Sequence, residues 1–237
     1  MGDAAGIGPE TIAMLYQHHP QTMHHCFVVG DVGIMRRAAE VVARVCNTPA
    51  IPVAEIFDLD AVSALPPRCI GVLPIAAPMQ LVPWGEVNAE AGAMAGRCVE
   101  WAADAALHHK IAAMVTAPLN KASLHAAGMP YAQFPGHTEL LQHQAARFLQ
   151  RSIADVPVRM MLANDELRTV LVSIHVSLRQ ALEAVTLDNV LETIAITHQA
   201  LTPLLGRAPR IAVAGLNPHA GEDGLFGREE IDIIAPA

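Results

Sequence analysis

Cys26-Phe27-Val28-Val29-Gly30-Asp31 runs straight into Val32-Gly33-Ile34-Met35-Arg36-Arg37-Ala38-Ala39-Glu40-Val41-Val42-Ala43-Arg44-Val45-Cys46. The first stretch is short, apolar and ended by Gly-Asp, the pattern of a buried strand. The second places Met35, Ala38, Ala39, Val42 and Val45 on one face of a helix, spanning Val32 to Cys46. Strand, tight turn and amphipathic helix make a β-turn-α unit, and repetition of that unit predicts an α/β layered sheet.

The pattern recurs in both directions. Upstream, Gly2-Asp3-Ala4-Ala5-Gly6-Ile7-Gly8-Pro9-Glu10 is a glycine-rich turn opening a helix at Thr11 to Tyr16, with Pro9 near its first position. Such a turn either presents backbone N–H groups to an anion or is a plain tight turn. Downstream, Ile70 to Ile75 reads as a strand inside the Pro-rich region from Asn47 to Trp84. A long Ala-rich helix spans Val87 to Leu107 and leads into a strand at Ile111 to Thr116. Ala122 to Ala127 reads as helical, with Gly128 as its stop. Val158 to Ala163 and Leu167 to Ile174 flank Asn164-Asp165-Glu166 as a hairpin, which predicts an antiparallel pair within a mixed sheet. Helices are expected at Leu178 to Ala184 and, capped by Thr186, at Leu187 to Leu201, before a last strand at Arg210 to Leu216.

Composition bounds the function. The 237 residues are 52% hydrophobic and 16% charged, enough apolar content for a large core, and the net charge of −8 carries no basic stripe. Nucleic acid is therefore not an expected partner. His, Gly, Pro or charge interrupts each apolar run before about 18 residues, so no membrane span is expected. Cys26, Cys46, Cys69 and Cys98 form no C-x-x-C pair and read as reduced core cysteines, the usage of a cytoplasmic protein. Of the twelve histidines, the pairs at 18–19, 24–25 and 108–109 read as solvated.

Chemistry gathers at strand ends, where open α/β sheets bind ligands. Thr116 and His175 each end a predicted strand, and Asn217 and His219 follow another. His137, in Phe134-Pro135-Gly136-His137-Thr138-Glu139, belongs to a loop able to join them. His137, His175 and His219 are thus candidate ligands for a divalent metal. Their spacing matches no local metal motif, and each taken singly also fits a satisfied loop or core histidine. Lys121 and Arg179 are candidates to hold a phosphate or carboxylate. No Walker loop or G-x-S-x-G elbow is present.

The segments Gly2 to Glu10, Thr116-Ala117-Pro118-Leu119-Asn120-Lys121, Gly136-His137-Thr138-Glu139, Met160-Met161-Leu162-Ala163, His175 with Leu178-Arg179, and Gly215-Leu216-Asn217-Pro218-His219-Ala220-Gly221-Glu222 resemble, in order, the signatures of the 4-hydroxythreonine-4-phosphate dehydrogenase family of pyridoxal phosphate biosynthesis. That family includes 4-phospho-D-threonate and D-erythronate dehydrogenases. The resemblance implies an α/β fold like isocitrate and isopropylmalate dehydrogenases, with two α/β/α domains, mixed sheets and truncation at both ends. Residues 1–115 would be part of the NAD-binding domain, and residues 116–237 a second domain carrying metal and dimer contacts.

By position, the resemblance assigns His175 and His219 as metal ligands and His137 and Thr138 as substrate-binding residues. This moves His137 out of the metal set, and the family's third ligand, in a His-Asp-Gln motif, has no counterpart here. No catalytic or cofactor-binding residue is assigned. The implied cofactors are NAD or NADP and one divalent metal per site, Zn, Mg or Co. The implied assembly is a homodimer with the site at its interface.

The implied reaction oxidises 4-phosphohydroxy-L-threonine to 2-amino-3-oxo-4-phosphobutyrate, which decarboxylates to 3-amino-2-oxopropyl phosphate. A charged His137 would also help hold the phosphate. Ala4 departs from the family, which often has Pro there. Three alternatives stand beside this reading: a phosphothreonate or phosphoerythronate dehydrogenase, a metal-assisted hydrolase using Glu139 or Glu222 as base, and a truncated chain that only folds and dimerises.

Overall fold

The computed structural model describes residues 1–237. The chain forms two compact units, Met1–Val156 and Pro157–Ala237. The position 115/116, where the sequence suggested a boundary, lies inside the first unit.

In the first unit, helix α1 (Gly8–His18) precedes strand β1 (Val28–Val29), helix α2 (Val32–Cys46), strand β2 (Val53–Glu55) and strand β3 (Ile70–Leu73). The three strands form one parallel sheet in the order β1-β3-β2, with Val28 opposite Val72 and Val53 opposite Ile70. β3 is central and buried at all four positions, as a strand covered on both faces must be. α2 has the limits its periodicity predicted: the Asp31 carboxylate caps it by accepting the Ile34 N–H at 2.8 Å, and Asn47 ends it in the left-handed conformation. Ile34, Met35, Ala38 and Val42 from α2 join Val28, Ile70 and Val72 in the main core.

Helix α3 (Ala89–Leu107) starts at Asn88, whose side chain caps it. It is followed by α4 (Lys121–Ala126) and α5 (His137–Leu149). Gly92 lies against the Ser123 backbone and Gly96 against the Tyr131 ring, so the absence of Cβ atoms lets these segments cross α3 closely. Glu100 completes the junction, accepting Tyr131 Oη–H at 2.8 Å and Gln144 Nε2–H at 3.2 Å.

The second unit holds a hairpin, β4 (Met161–Ala163) with β5 (Arg168–Val170), and helices α6 (Leu178–Glu183) and α7 (Leu187–Leu205). Arg159 ties the start of this unit to α7, donating to Thr193 Oγ1 at 2.8 Å, Asn189 Oδ1 at 2.7 Å and Glu192 Oε2 at 2.5 Å. Pro203 lies in the last turn of α7, which Gly206 ends in the left-handed conformation, slightly beyond the expected stop.

Several expectations need correction. Ile111 to Thr116 and Arg210 to Leu216 are not strands; they form no ladder, and bends fall at Ile111, Ala112 and Leu216. Val115 is 95% exposed, and a strand with neither partner nor covering layer has nothing to stabilise it. The antiparallel pair stands apart from the parallel sheet, so no mixed sheet forms. His137 is not a loop residue; it is the first residue of α5, a helix the sequence reading passed over.

Candidate functional site

In the first unit, two of the sequence motifs meet. The glycine-rich turn is seated on Ala117-Pro118: the Asp3 N–H donates to the Pro118 carbonyl at 3.0 Å. A Cβ on Gly2 would collide with that carbonyl and with the Ala117 side chain, and Gly2 has φ +76°. Only glycine meets both demands.

The turn is not an open anion cradle, however. Asp3 is buried, its carboxylate accepts the Ala5 N–H at 2.9 Å, and its carbonyl accepts the Gly6 N–H at 3.1 Å. Burial raises the Asp3 pKa, against the opposing pull of the Ala5 N–H. Arg37 clamps the turn from outside: it donates to the Ala4 carbonyl at 2.7 Å and to the Val82 carbonyl at 2.5 Å, and its guanidinium stacks 4.5 Å from the Trp84 ring centre.

Beyond Ala117, Asn120 caps α4 through the Ser123 N–H. Lys121 follows and reaches the start of α5, with its Cε in van der Waals range of a Cβ built on Gly136. His137 and Thr138 occupy the first turn of α5, where free N–H groups and the helix dipole favour an anion. The Glu139 carboxylate shares that turn. Burial lowers the His137 pKa below its ordinary value; nearby Lys121 and the chain's amino group push the same way, against a backbone contact with Ala117. That direction favours the neutral imidazole over the charged one. His137, Ala117 and Gly2 line a cleft of about 800 Å³, within the range of small-molecule pockets.

The second unit carries the other two histidines, both exposed. His175 has φ +55° and His219 φ +54°, a strained region for residues with a Cβ. Just after His175, Ser177 and Gln180 form a reciprocal capping box that fixes the start of α6. Around His219, the residues from His219 to Asp223 all have positive φ, as does Gly224.

The anchor of this loop is Glu230, which lies in a π-helical turn (Glu230–Ile234). Its Oε1 accepts the Leu216 and Asn217 N–H groups, each at 2.7 Å. Its Oε2 accepts Asn217 Nδ2–H at 3.0 Å. These bonds, from the Asn217 side chain first, hold the carboxyl pKa down to about 2. Sequence reading missed Glu230, because a carboxylate that binds backbone N–H groups has no motif of its own. It missed Asp3 and Arg37 in the same way. Arg179 is exposed on α6.

The structure places His137 and Thr138 in one unit and His175 and His219 in the other. It contains no group of three or more His, Cys, Asp and Glu side chains arranged to hold a metal. The donor chemistry of His175 and His219 still fits a divalent metal as two exposed imidazoles, with the remaining ligands coming from outside the pair.

Residues 22–237 match the family model described as pyridoxal phosphate biosynthetic protein PdxA. The chain belongs to the PdxA family. It is similar over its whole length to the 4-hydroxythreonine-4-phosphate dehydrogenase of Beijerinckia indica, at 40% identity over 239 residues and 65% of that protein. It is equally similar to the D-threonate 4-phosphate dehydrogenase of Pectobacterium atrosepticum, at 40% over 241 residues and 68% of that protein. The crystal structure of 4-hydroxythreonine-4-phosphate dehydrogenase from Klebsiella pneumoniae superposes with a TM-score of 0.80 at 38% identity, covering all of this chain and 67% of that one. The chain thus spans about two thirds of the length of these relatives. Its α/β architecture with a parallel sheet is the one this family builds.

Proposed function

We propose that the chain provides much of the site of an NAD(P)-linked dehydrogenase that oxidises 4-phosphohydroxy-L-threonine, the product then losing its carboxylate. The observation that carries this reading is the end-to-end similarity to proteins bearing that name, spanning the glycine-rich turn and both histidine loops. The isocitrate dehydrogenase-like arrangement, the homodimer with an interfacial site and a cytoplasmic location belong to the same proposal. The four free cysteines accord with that location, and no helix is long and apolar enough to cross a membrane.

In this reading the start of α5 binds the substrate. Lys121 and the α5 N-terminus favour its anionic end, while neutral His137 accepts a hydrogen bond from a substrate hydroxyl and Thr138 orients the adjoining group. His175 and His219 hold a divalent metal, Zn, Mg or Co, which when bound supplies Lewis-acid stabilisation of negative charge on a substrate oxygen. Glu230 keeps the His219 loop in shape. The nicotinamide cofactor supplies the hydride acceptor, as NAD or NADP.

A second reading, oxidation of 4-phospho-D-threonate, is favoured by a specific observation: the relative named for that activity is as similar as the first. The two substrates differ at C2, an ammonium against a hydroxyl. The test is nicotinamide reduction by metal-loaded protein with each substrate, beside a His175→Ala/His219→Ala variant. Metal-dependent turnover lost in the variant supports the dehydrogenase, and the preferred substrate decides between the readings. Folded protein that turns over neither substrate refutes both for this chain and leaves a folding and dimerising role. Hydrolysis of a plain phosphoester without nicotinamide would instead favour the hydrolase alternative with Glu139 or Glu222.

A further inference from the structure

Away from both histidine loops, α1 and α2 bring three soft donors together. Cys46 Sγ, in the last turn of α2, lies 3.7 Å from Met14 Sδ and 3.6 Å from His18 Nε2. Met14 and His18 are four residues apart on α1 and share a face. Cys46 and Met14 are partly buried and His18 is exposed, so the cluster has a fixed base and an open side.

We propose that Met14, His18 and Cys46 form a binding site for a soft, thiophilic monovalent metal ion, with Cu(I) as the ion the donor set suits best. The physical case rests on donor type and separation. Thiolate, thioether and imidazole together are the ligands that select Cu(I), whereas Mg, Ca and Mn take oxygen. Sulfur and imidazole donors held about 2.0 to 2.3 Å from one metal stand roughly 3.5 to 4 Å from each other. The two separations found here fall in that range without movement of either helix.

Binding needs no redox step. The Cys46 thiol loses its proton to solvent as the sulfur bonds to the ion, so uptake is accompanied by proton release. The competing account of the same distances is a thiol hydrogen bond to the imidazole beside a sulfur–sulfur contact, and it predicts no metal affinity beyond that of an isolated thiol.

The site is independent of the dehydrogenase reading and is tested apart from it. The full chain is titrated with Cu(I) under anaerobic, reducing conditions in competition with a chromophoric Cu(I) chelator. The wild type is expected to withdraw a single equivalent from the chelator. Cys46→Ser is expected to lose this binding. Met14→Leu and His18→Ala are each expected to weaken it at least tenfold, since even groups behind a ligand are worth about 10- to 100-fold in metal affinity.

Cys26→Ser, which alters the exposed thiol outside the cluster, and His175→Ala/His219→Ala are expected to retain binding. Circular dichroism establishes that each variant is folded. Failure of the wild type to compete, survival of binding in Cys46→Ser, or indifference to both Met14→Leu and His18→Ala would each overturn the proposal.

Discussion

Glu230 holds Asn217 twice over: its carboxylate accepts the Asn217 backbone N–H at 2.7 Å and the side-chain amide at 3.0 Å. One acidic side chain thereby sets the path of the chain into Pro218 and His219, where the backbone turns left-handed. Glu230→Ala removes the acceptor of the Leu216 and Asn217 N–H groups. Both amides are expected to lose protection in hydrogen exchange, while amides of β3 in the other unit keep theirs. Unchanged protection at 216 and 217 would mean that the loop is held by something else.

The same contact predicts a pH dependence. The Glu230 pKa is depressed from an ordinary 4.5 to about 2, because hydrogen bonds from Asn217 favour the ionised form. The carboxylate therefore contributes its full stabilisation above about 4.5, and the contribution is lost as pH falls toward 2. Followed by NMR, the Asn217 side-chain amide is expected to shift with a midpoint near 2. A midpoint near 4.5 would show that the bonds do not form in solution.

His137 titrates with the opposite consequence for charge. Burial first, and then Lys121, lower its pKa, so the folded state takes up a proton less readily than the unfolded state. Its effect on stability is absent above the ordinary value of 6.5 and becomes a penalty as pH falls below it. The ring-proton NMR titration is expected to have its midpoint under 6.5, and Lys121→Met is expected to move that midpoint upward. A midpoint above 6.5 in the unsubstituted chain contradicts the burial of His137 beside Lys121.

Gly92 and Gly96 test the close crossing over α3. Gly92→Ala places a methyl into the Ser123 backbone, which cannot yield as a flexible side chain would. Overpacking of this kind costs about 1 to 3 kcal/mol, here set against the gain in helix propensity of roughly 1 kcal/mol for replacing glycine. Thermal melting is expected to show net destabilisation for Gly92→Ala. Gly96→Ala meets the Tyr131 ring, a side chain and not backbone, at longer range, and is expected to cost less. Stabilisation by Gly92→Ala would refute the crossing geometry.

Arg159 makes a comparable claim for the second unit. Its guanidinium donates to Thr193, Asn189 and Glu192, and its side chain is 13% exposed. Arg159→Met keeps the stem and leaves those acceptors unmet, at an expected cost of about 2 kcal/mol in chemical denaturation. No measurable change would show that water replaces the guanidinium at no cost.

Legibility in the sequence followed the strength of local signals. α2 and α3 could be read from apolar spacing alone, and the caps found in the structure, Asp31 and Asn88, start the helices at Val32 and at Ala89, the latter two residues after the expected Val87. α5 escaped because its buried face includes Gln144, paired with Glu100, and so lacks a continuous apolar stripe. The apolar run at residues 111–116 misled in the other direction, since apolar content marks a strand only where a partner and a covering layer exist. For the candidate site, the histidine loops were visible as residues, while the groups that shape them were not. Glu230, Asp3 and Arg37 act through backbone atoms, and backbone partners leave no trace in residue order.

Both tryptophans, Trp84 and Trp101, belong to Met1–Val156. Indole emission therefore arises entirely within that unit, while Pro157–Ala237, which carries His175 and His219, has no indole of its own. A fluorescence melt and a circular dichroism melt of the same sample need not coincide, and a difference between them would report two units losing structure at different temperatures rather than an intermediate of one.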